Sequence, residues 1–289
     1  SWPFAAVVAA DLAFLPVLAA FLAWPLLRER NRNTPLLLVL LVLWLCNATF
    51  HLGLFRGDVE LSRQALLTAV NFALILVTVI GGRITPSFTA TALRQRGVEG
   101  ALQAPRGMTA ATVALMIAVA AVDLMQPGGA SAGWLALAAA IAQAARLVHW
   151  QGWRVLHDPI VWVLHLAYAW LPFGLALKAL AILTGVAVAT FWLHALTIGV
   201  LATMILGVMT RVSLGHTGRP LRVRPLVTLA YLLVSAAAIV RVFGAWLPGF
   251  DYPAVIVLSS ALWTSAFALF LWVYGPILFT SSIDARARR

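Results

Sequence analysis

The stretch His194–Leu221, HALTIGVLATMILGVMTRVSLGHTGRPL, begins inside an apolar segment, passes Met204, Met209 and Thr210, and leaves that segment at Arg211. It closes on a Gly- and Arg-containing loop holding His216, Thr217, Gly218 and Arg219. Apolar and polar residues do not alternate strictly, so the run reads as a helix and not as a strand. Crossing a bilayer takes about 20 residues of helix, and the run is long enough. A histidine on an apolar helix, followed by a compact polar loop, is what a buried cofactor beside a membrane surface needs.

The rest of the chain repeats this pattern. Its 289 residues are 63% hydrophobic and 10% charged, and the mean hydropathy is +0.96. A soluble domain of this length cannot hide that much apolar surface. The sequence predicts an all-α, polytopic membrane helix bundle forming one transmembrane domain over 1–289. Nine spans are expected, at about 3–27, 35–55, 61–82, 107–126, 131–152, 159–183, 186–210, 225–247 and 253–279. Pro3, Pro159 and Pro225 stand at helix starts, where a missing N–H costs nothing, and Asp158 before Pro159 reads as an N-cap. Pro16 and Pro172 fall inside spans and should bend them.

Charge fixes the orientation. Sixteen of the 20 basic residues fall in alternate connections or at the C-terminal end. Arg56, Arg63, Lys178 and Arg241 are the exceptions. Basic residues favour the cytoplasmic side, so the pattern predicts a periplasmic N-terminus and a cytoplasmic C-terminus. The net charge of +11 is therefore topological and does not indicate nucleic-acid binding: no basic patch is interleaved with aromatics on a soluble face. The single Cys46 excludes an internal disulfide. The longest connection, about 83–106, reads as a basic loop or as one carrying a short surface helix around Ser87–Gln95. Ser1 stands where methionine would be, and a span follows almost at once, so the chain is expected to lack its beginning.

Ionisable groups at membrane depth are costly and mark sites or pairs. Asp11, His51, Asp123, His165, Lys178, His194 and Arg241 are of this kind. At a rise of ~1.5 Å per residue, Asp11, His51 and His194 lie ~10, ~6 and ~12 Å below the outer surface. A histidine pair at matching depth could clamp a haem iron or a copper, with Asp11 or Asn47 orienting an imidazole from behind. Separate inter-helical hydrogen bonds explain the same residues. His165 lies ~9 Å above the cytoplasmic surface, with Trp162 and Tyr168 on its face. It reads as a second ligand site or as part of an aromatic belt. His194 and His165 fall in opposite halves. Met204 and Met209 read as copper ligands or as packing. Gly199, Ala202 and Gly207 permit close helix contact. Arg83, Arg211 and Arg219 suit carboxylates, lipid headgroups or topology alone. The sequence contains no GxxxxGK[ST], GxSxG, HExxH or CxxC pattern.

The segment His194–Leu221 closely resembles the hallmark segment of the NnrS family of bacterial membrane proteins. Asp158–Leu180, DPIVWVLHLAYAWLPFGLALKAL, is similar to that family's preceding span. ARLVHWQGWRVLHDP before it, DLAFLPVLAA from Asp11, NATFHLG from Asn47 and GGRITPSFT from Gly81 resemble family segments in the expected order. The resemblance implies an inner-membrane protein containing haem and copper, associated with denitrification and with tolerance of nitric oxide and nitrosative stress. It also implies about twelve spans, with a His-Glu-Met motif on an early helix that this sequence does not contain. Ligand roles carry over to His194, His165, His51 and His216, in falling order. Contacts to haem propionates or another anion carry over to Arg83, Arg211 and Arg219. The expected partners are the lipid bilayer and nitric oxide or a related small molecule. Nucleic acid is not expected, and no site for an electron donor is visible. The alternative is a transporter of a metal, haem or small anion whose polar path uses Asp11, His51, His194 and Lys178. In a third reading, a scaffold, the polar residues only join helices.

Overall fold

The computed structural model describes residues 4–28, 35–98, 104–247, 249 and 251–280. Those residues form helices and connections, with no strand among them. Eleven α-helices follow in order: α1 Phe4–Arg28, α2 Pro35–Arg56, α3 Val59–Leu76, α4 Gly82–Arg94, α5 Arg106–Met125, α6 Ala130–His149, α7 Pro159–Thr184, α8 Trp192–His194, α9 Thr203–His216, α10 Pro225–Phe243 and α11 Tyr252–Leu278. A π-helical turn, Val77–Gly81, joins α3 to α4, and a longer one, Ala195–Ala202, joins α8 to α9. Among the described residues, nine helical runs are long and apolar enough to cross a membrane.

Two boundaries differ from expectation. The third run continues through α4 to Arg94. The part of α4 read as a loop or surface helix buries Thr85, Pro86, Thr89, Ala92 and Leu93. The seventh run continues past Arg211 to His216, with Ser213 and Leu214 buried. Gly215, just before the loop, stays helical. Gly218, at φ 69°, takes the left-handed conformation that turns the chain. Asp158 stands at the N-cap position of α7, but its side chain makes no capping bond there.

The helices sort into two compact units, residues 1–72 and 73–289. In the first, α1 and α2 run antiparallel. The Trp44 indole N–H donates to the Leu12 carbonyl at 2.9 Å, and Asp11 lies against Asn47 and His51. The chain turns at Gly57 (φ 69°), and the Asp58 carboxylate accepts from the Leu61 N–H at 2.9 Å to start α3.

The second unit is built around α7, whose side chains are buried along most of its length. Small residues let its neighbours approach. Added methyls at Gly133, Gly174 and Gly199 would collide with Leu183, Leu196 and the Trp170 ring respectively. The expected close contacts at Gly199 and Gly207 are thus made against Trp170 and Val163. Gly199→Ala should cost about 1–3 kcal/mol, the usual penalty for overpacking. A lowered thermal midpoint in detergent checks this. An unchanged midpoint would mean that the Trp170 ring moves aside freely.

Candidate functional site

His165 sits in the first half of α7, 8% exposed. Its Nε2 lies 2.7 Å from the Thr89 hydroxyl of α4. That hydroxyl donates its only proton to the Thr85 carbonyl at 2.9 Å. The imidazole must therefore donate through Nε2–H, which assigns the tautomer from the hydrogen-bond pattern and leaves Nδ1 as a bare lone pair. Nδ1 is buried and without a partner.

The segment before α7 shapes the other side of this ring. Gln151 takes a left-handed conformation, φ 52°, and turns the chain so that Gly152 lies against His165. A Cβ at Gly152 would strike the imidazole at Nδ1. Gly152 and His165 line an apolar groove of about 600 Å³ with Trp153, Leu156, Trp162 and Leu166. Trp150 packs edge-on to both His165 and Tyr168, at 6.3 and 4.5 Å between ring centroids.

Beside this histidine lies a group that sequence reasoning assigned only to topology. Arg146 of α6 is 2% exposed. Its guanidinium donates to the Thr78 carbonyl at 2.8 Å, the Tyr168 hydroxyl at 3.1 Å and the Gly82 carbonyl at 3.3 Å. Both carbonyls are freed by local chain geometry. In the π turn the Gly82 N–H reaches back five residues to Val77, leaving the Thr78 carbonyl without its α-helical donor. Pro86 has no N–H to offer the Gly82 carbonyl four residues earlier. Tyr168 donates on to Gln143 at 2.6 Å, and Gln143 donates to the Thr78 hydroxyl at 3.1 Å. The cation also faces the Trp150 ring at 5.3 Å.

The remaining histidines sit in other surroundings. In the first unit the Asp11 carboxylate accepts from Asn47 and from His51 Nε2–H, both at 2.8 Å. His51 Nδ1 is then a buried nitrogen without a partner, as in His165. In the second unit the half-buried His194 stacks on Phe191, which stacks on Tyr252, with Arg241 over the Tyr252 ring at 5.3 Å. His165 and His194 thus belong to different clusters. His216 is exposed in the last turn of α9.

Among the expected arginines, Arg211 lies over the Phe88 ring at 3.6 Å, one residue from Thr89. Arg83 is exposed on α4, and Arg219 donates to the Thr280 hydroxyl at 3.1 Å. Burial pushes the Asp158 carboxyl above its usual range, against the pull of His157 and Arg211. Lys178 and Asp123 form a buried ion pair in which the ammonium bonds both carboxylate oxygens. Among the described residues, no three His, Cys, Asp or Glu side chains converge as a metal site.

The nine apolar runs among the described residues, and the buried His165 held by the Thr89 hydroxyl, define a multi-pass membrane protein with polar chemistry between its helices. The family described as NnrS protein matches residues 1–281, and the chain belongs to that family. Membership associates it with the nitric oxide response. No curated protein and no solved structure showed a match to it.

Proposed function

We propose that this protein binds haem in the bacterial inner membrane and acts there in the nitric oxide response, protecting against nitrosative stress alongside denitrification. The observation that carries the reading is His165. One ring nitrogen is fixed by Thr89, the other is an unpartnered lone pair, and the ring edges an aromatic-lined groove. Grooves of this size and apolarity suit flat organic ligands. Holding one imidazole N–H on an oxygen acceptor is how proteins orient a ligating histidine. Haem bound there would supply an iron able to take up nitric oxide, a small apolar molecule that reaches it through lipid.

The chain's own residues do the rest. Thr89 holds the imidazole in one tautomer, Gly152 lets the backbone pack against its Nδ1 edge, and Trp153 and Trp162 line the groove beside it. Arg211, resting on Phe88 one residue from Thr89, suits a carboxylate of the bound group. Copper, the second expected cofactor, would draw on fewer than three His, Cys, Asp or Glu side chains among the described residues. His51, oriented by Asp11, remains the natural place for a second ligand-bearing site. In the transporter reading, Lys178 would enter the polar path as an ion pair with Asp123.

The test is an optical spectrum of the purified protein in detergent, oxidised and reduced, with and without nitric oxide. A Soret band that shifts with nitric oxide is expected. It should be abolished by His165→Ala and also by Gly152→Ala, whose methyl displaces the imidazole, while Thr89→Val should weaken it. A band that survives His165→Ala but not His51→Ala or His194→Ala would move the ligand to that histidine. A folded protein that cannot be loaded with haem would overturn the reading.

A further inference from the structure

After α9 the chain turns at Gly218, and the Arg219 N–H donates back to the Leu214 carbonyl at 2.9 Å. The next turn is tightened by Arg222 N–H donating to Pro220 at 2.8 Å. Arg224 then leads into Pro225 and α10. Within six residues this loop directs Arg219, Arg222 and Arg224 into one cleft of about 610 Å³, closed by Pro276, Ile277 and Thr280 at the end of α11. One Arg219 nitrogen is held by Thr280, and the other, NH1, is buried without a partner. No carboxylate is among the described residues lining the cleft.

The cleft does not end at the arginines. Arg224, Pro276 and Ile277 also border a second hollow of about 380 Å³, completed by Leu226, Val273 and Trp272. Trp272 is largely exposed on an apolar helix, where lipid would meet it. A basic pocket running into an apolar groove matches an amphiphile, whereas a free anion would use only the first half.

We propose that this cleft is a binding site for an anionic phospholipid, its phosphate among Arg219, Arg222 and Arg224 and an acyl chain along Leu226 and Trp272. Charge complementarity selects the headgroup, and bidentate guanidinium geometry suits phosphate oxygens. The site stands independently of the haem reading.

The test uses the whole protein in nanodiscs of phosphatidylcholine alone or of phosphatidylcholine mixed with phosphatidylglycerol. Phosphatidylglycerol retained after extraction into detergent is counted by native mass spectrometry. Wild type should retain phosphatidylglycerol in preference to phosphatidylcholine. Retention should fall about fivefold for each arginine removed. Arg222→Gln with Arg224→Gln is the main variant, because both side chains are exposed and the fold should survive; Arg219→Gln follows. Arg94→Gln with Arg106→Gln, on exposed arginines outside the cleft, should change nothing. Equal loss in that control would assign the effect to general surface charge and overturn the proposal. Absence of preference in wild type would do the same. Displacement of the lipid by inorganic phosphate would make this a free-oxyanion site and overturn the lipid assignment.

Discussion

Arg146→Leu should destabilise the protein by about 3–5 kcal/mol, enough to remove much of the folded population of a marginally stable chain. The loss comes from two buried carbonyls, Thr78 and Gly82, that lack the usual helical donor four residues on and would face an apolar side chain. Each buried unsatisfied group costs about 1–3 kcal/mol. Arg146→Lys should recover only part of this, because an ammonium cannot spread its donors across three acceptors as a planar guanidinium does. The decisive variant is Arg146→Leu with Pro86→Ala. Alanine returns an N–H to the Gly82 carbonyl, so the double variant should be more stable than Arg146→Leu by about 1 kcal/mol or more. Thermal unfolding in detergent, with size-exclusion profiles, reads all three. A double variant no better than the single would show that Arg146 does not hold the Gly82 carbonyl.

Lys178→Met or Asp123→Leu alone should cost about 3–5 kcal/mol, since each strands a charge in an apolar interior. Lys178 is 2% exposed and Asp123 7%. For a chain of this size that corresponds to a fall in thermal midpoint of roughly 10 °C. Replacing both together should recover most of the loss, because a buried ion pair and a well-packed apolar pair are often close in stability. If the double variant is as unstable as the singles, the two side chains serve other partners. Haem binding retained in a stable double variant would confine the pair to structure. Loss of solute flux in that variant, with the fold intact, would favour the transporter reading.

Much of the fold was legible in the sequence. Long apolar runs separated by arginines can satisfy their backbones in lipid only as helices, and the described residues hold nine such runs. The errors at α4 and α9 have one cause. The third span reads as ending near residue 82, yet the carbonyl that Pro86 leaves bare is met by Arg146 from another span and the helix goes on. Likewise Arg211 reads as the exit from the bilayer, but the Phe88 ring receives it and the helix continues. Local signals cannot report a partner supplied from far along the chain.

The same limit applies to the site. The histidines stand out on apolar helices, but Thr89, 76 positions from His165, could not be paired with it by spacing. Nor does spacing bring Gly152 to the imidazole that it lies against. Arg146 did leave a signal: it follows Gln143 by three positions in an otherwise apolar helix, so the two share a face. Read as a polar pair and not as one more border arginine, it would have pointed inward. The division at residues 72 and 73 has no counterpart in composition, since it falls inside a continuous apolar run.

The buried polar ties also bear on the order of synthesis. Gly82 in the third span waits for Arg146 in the fifth, and Asp123 in the fourth waits for Lys178 in the sixth. A chain made from its N-terminus therefore delivers the third span to the membrane before Arg146 has been translated, and the fourth before Lys178 has. The two ties interleave like alternate stitches. Any cut between the third and sixth spans opens at least one of them, and a cut between the fourth and fifth opens both. These four segments mature as a set, and until the sixth has entered the bilayer none of the intermediate products is electrostatically complete.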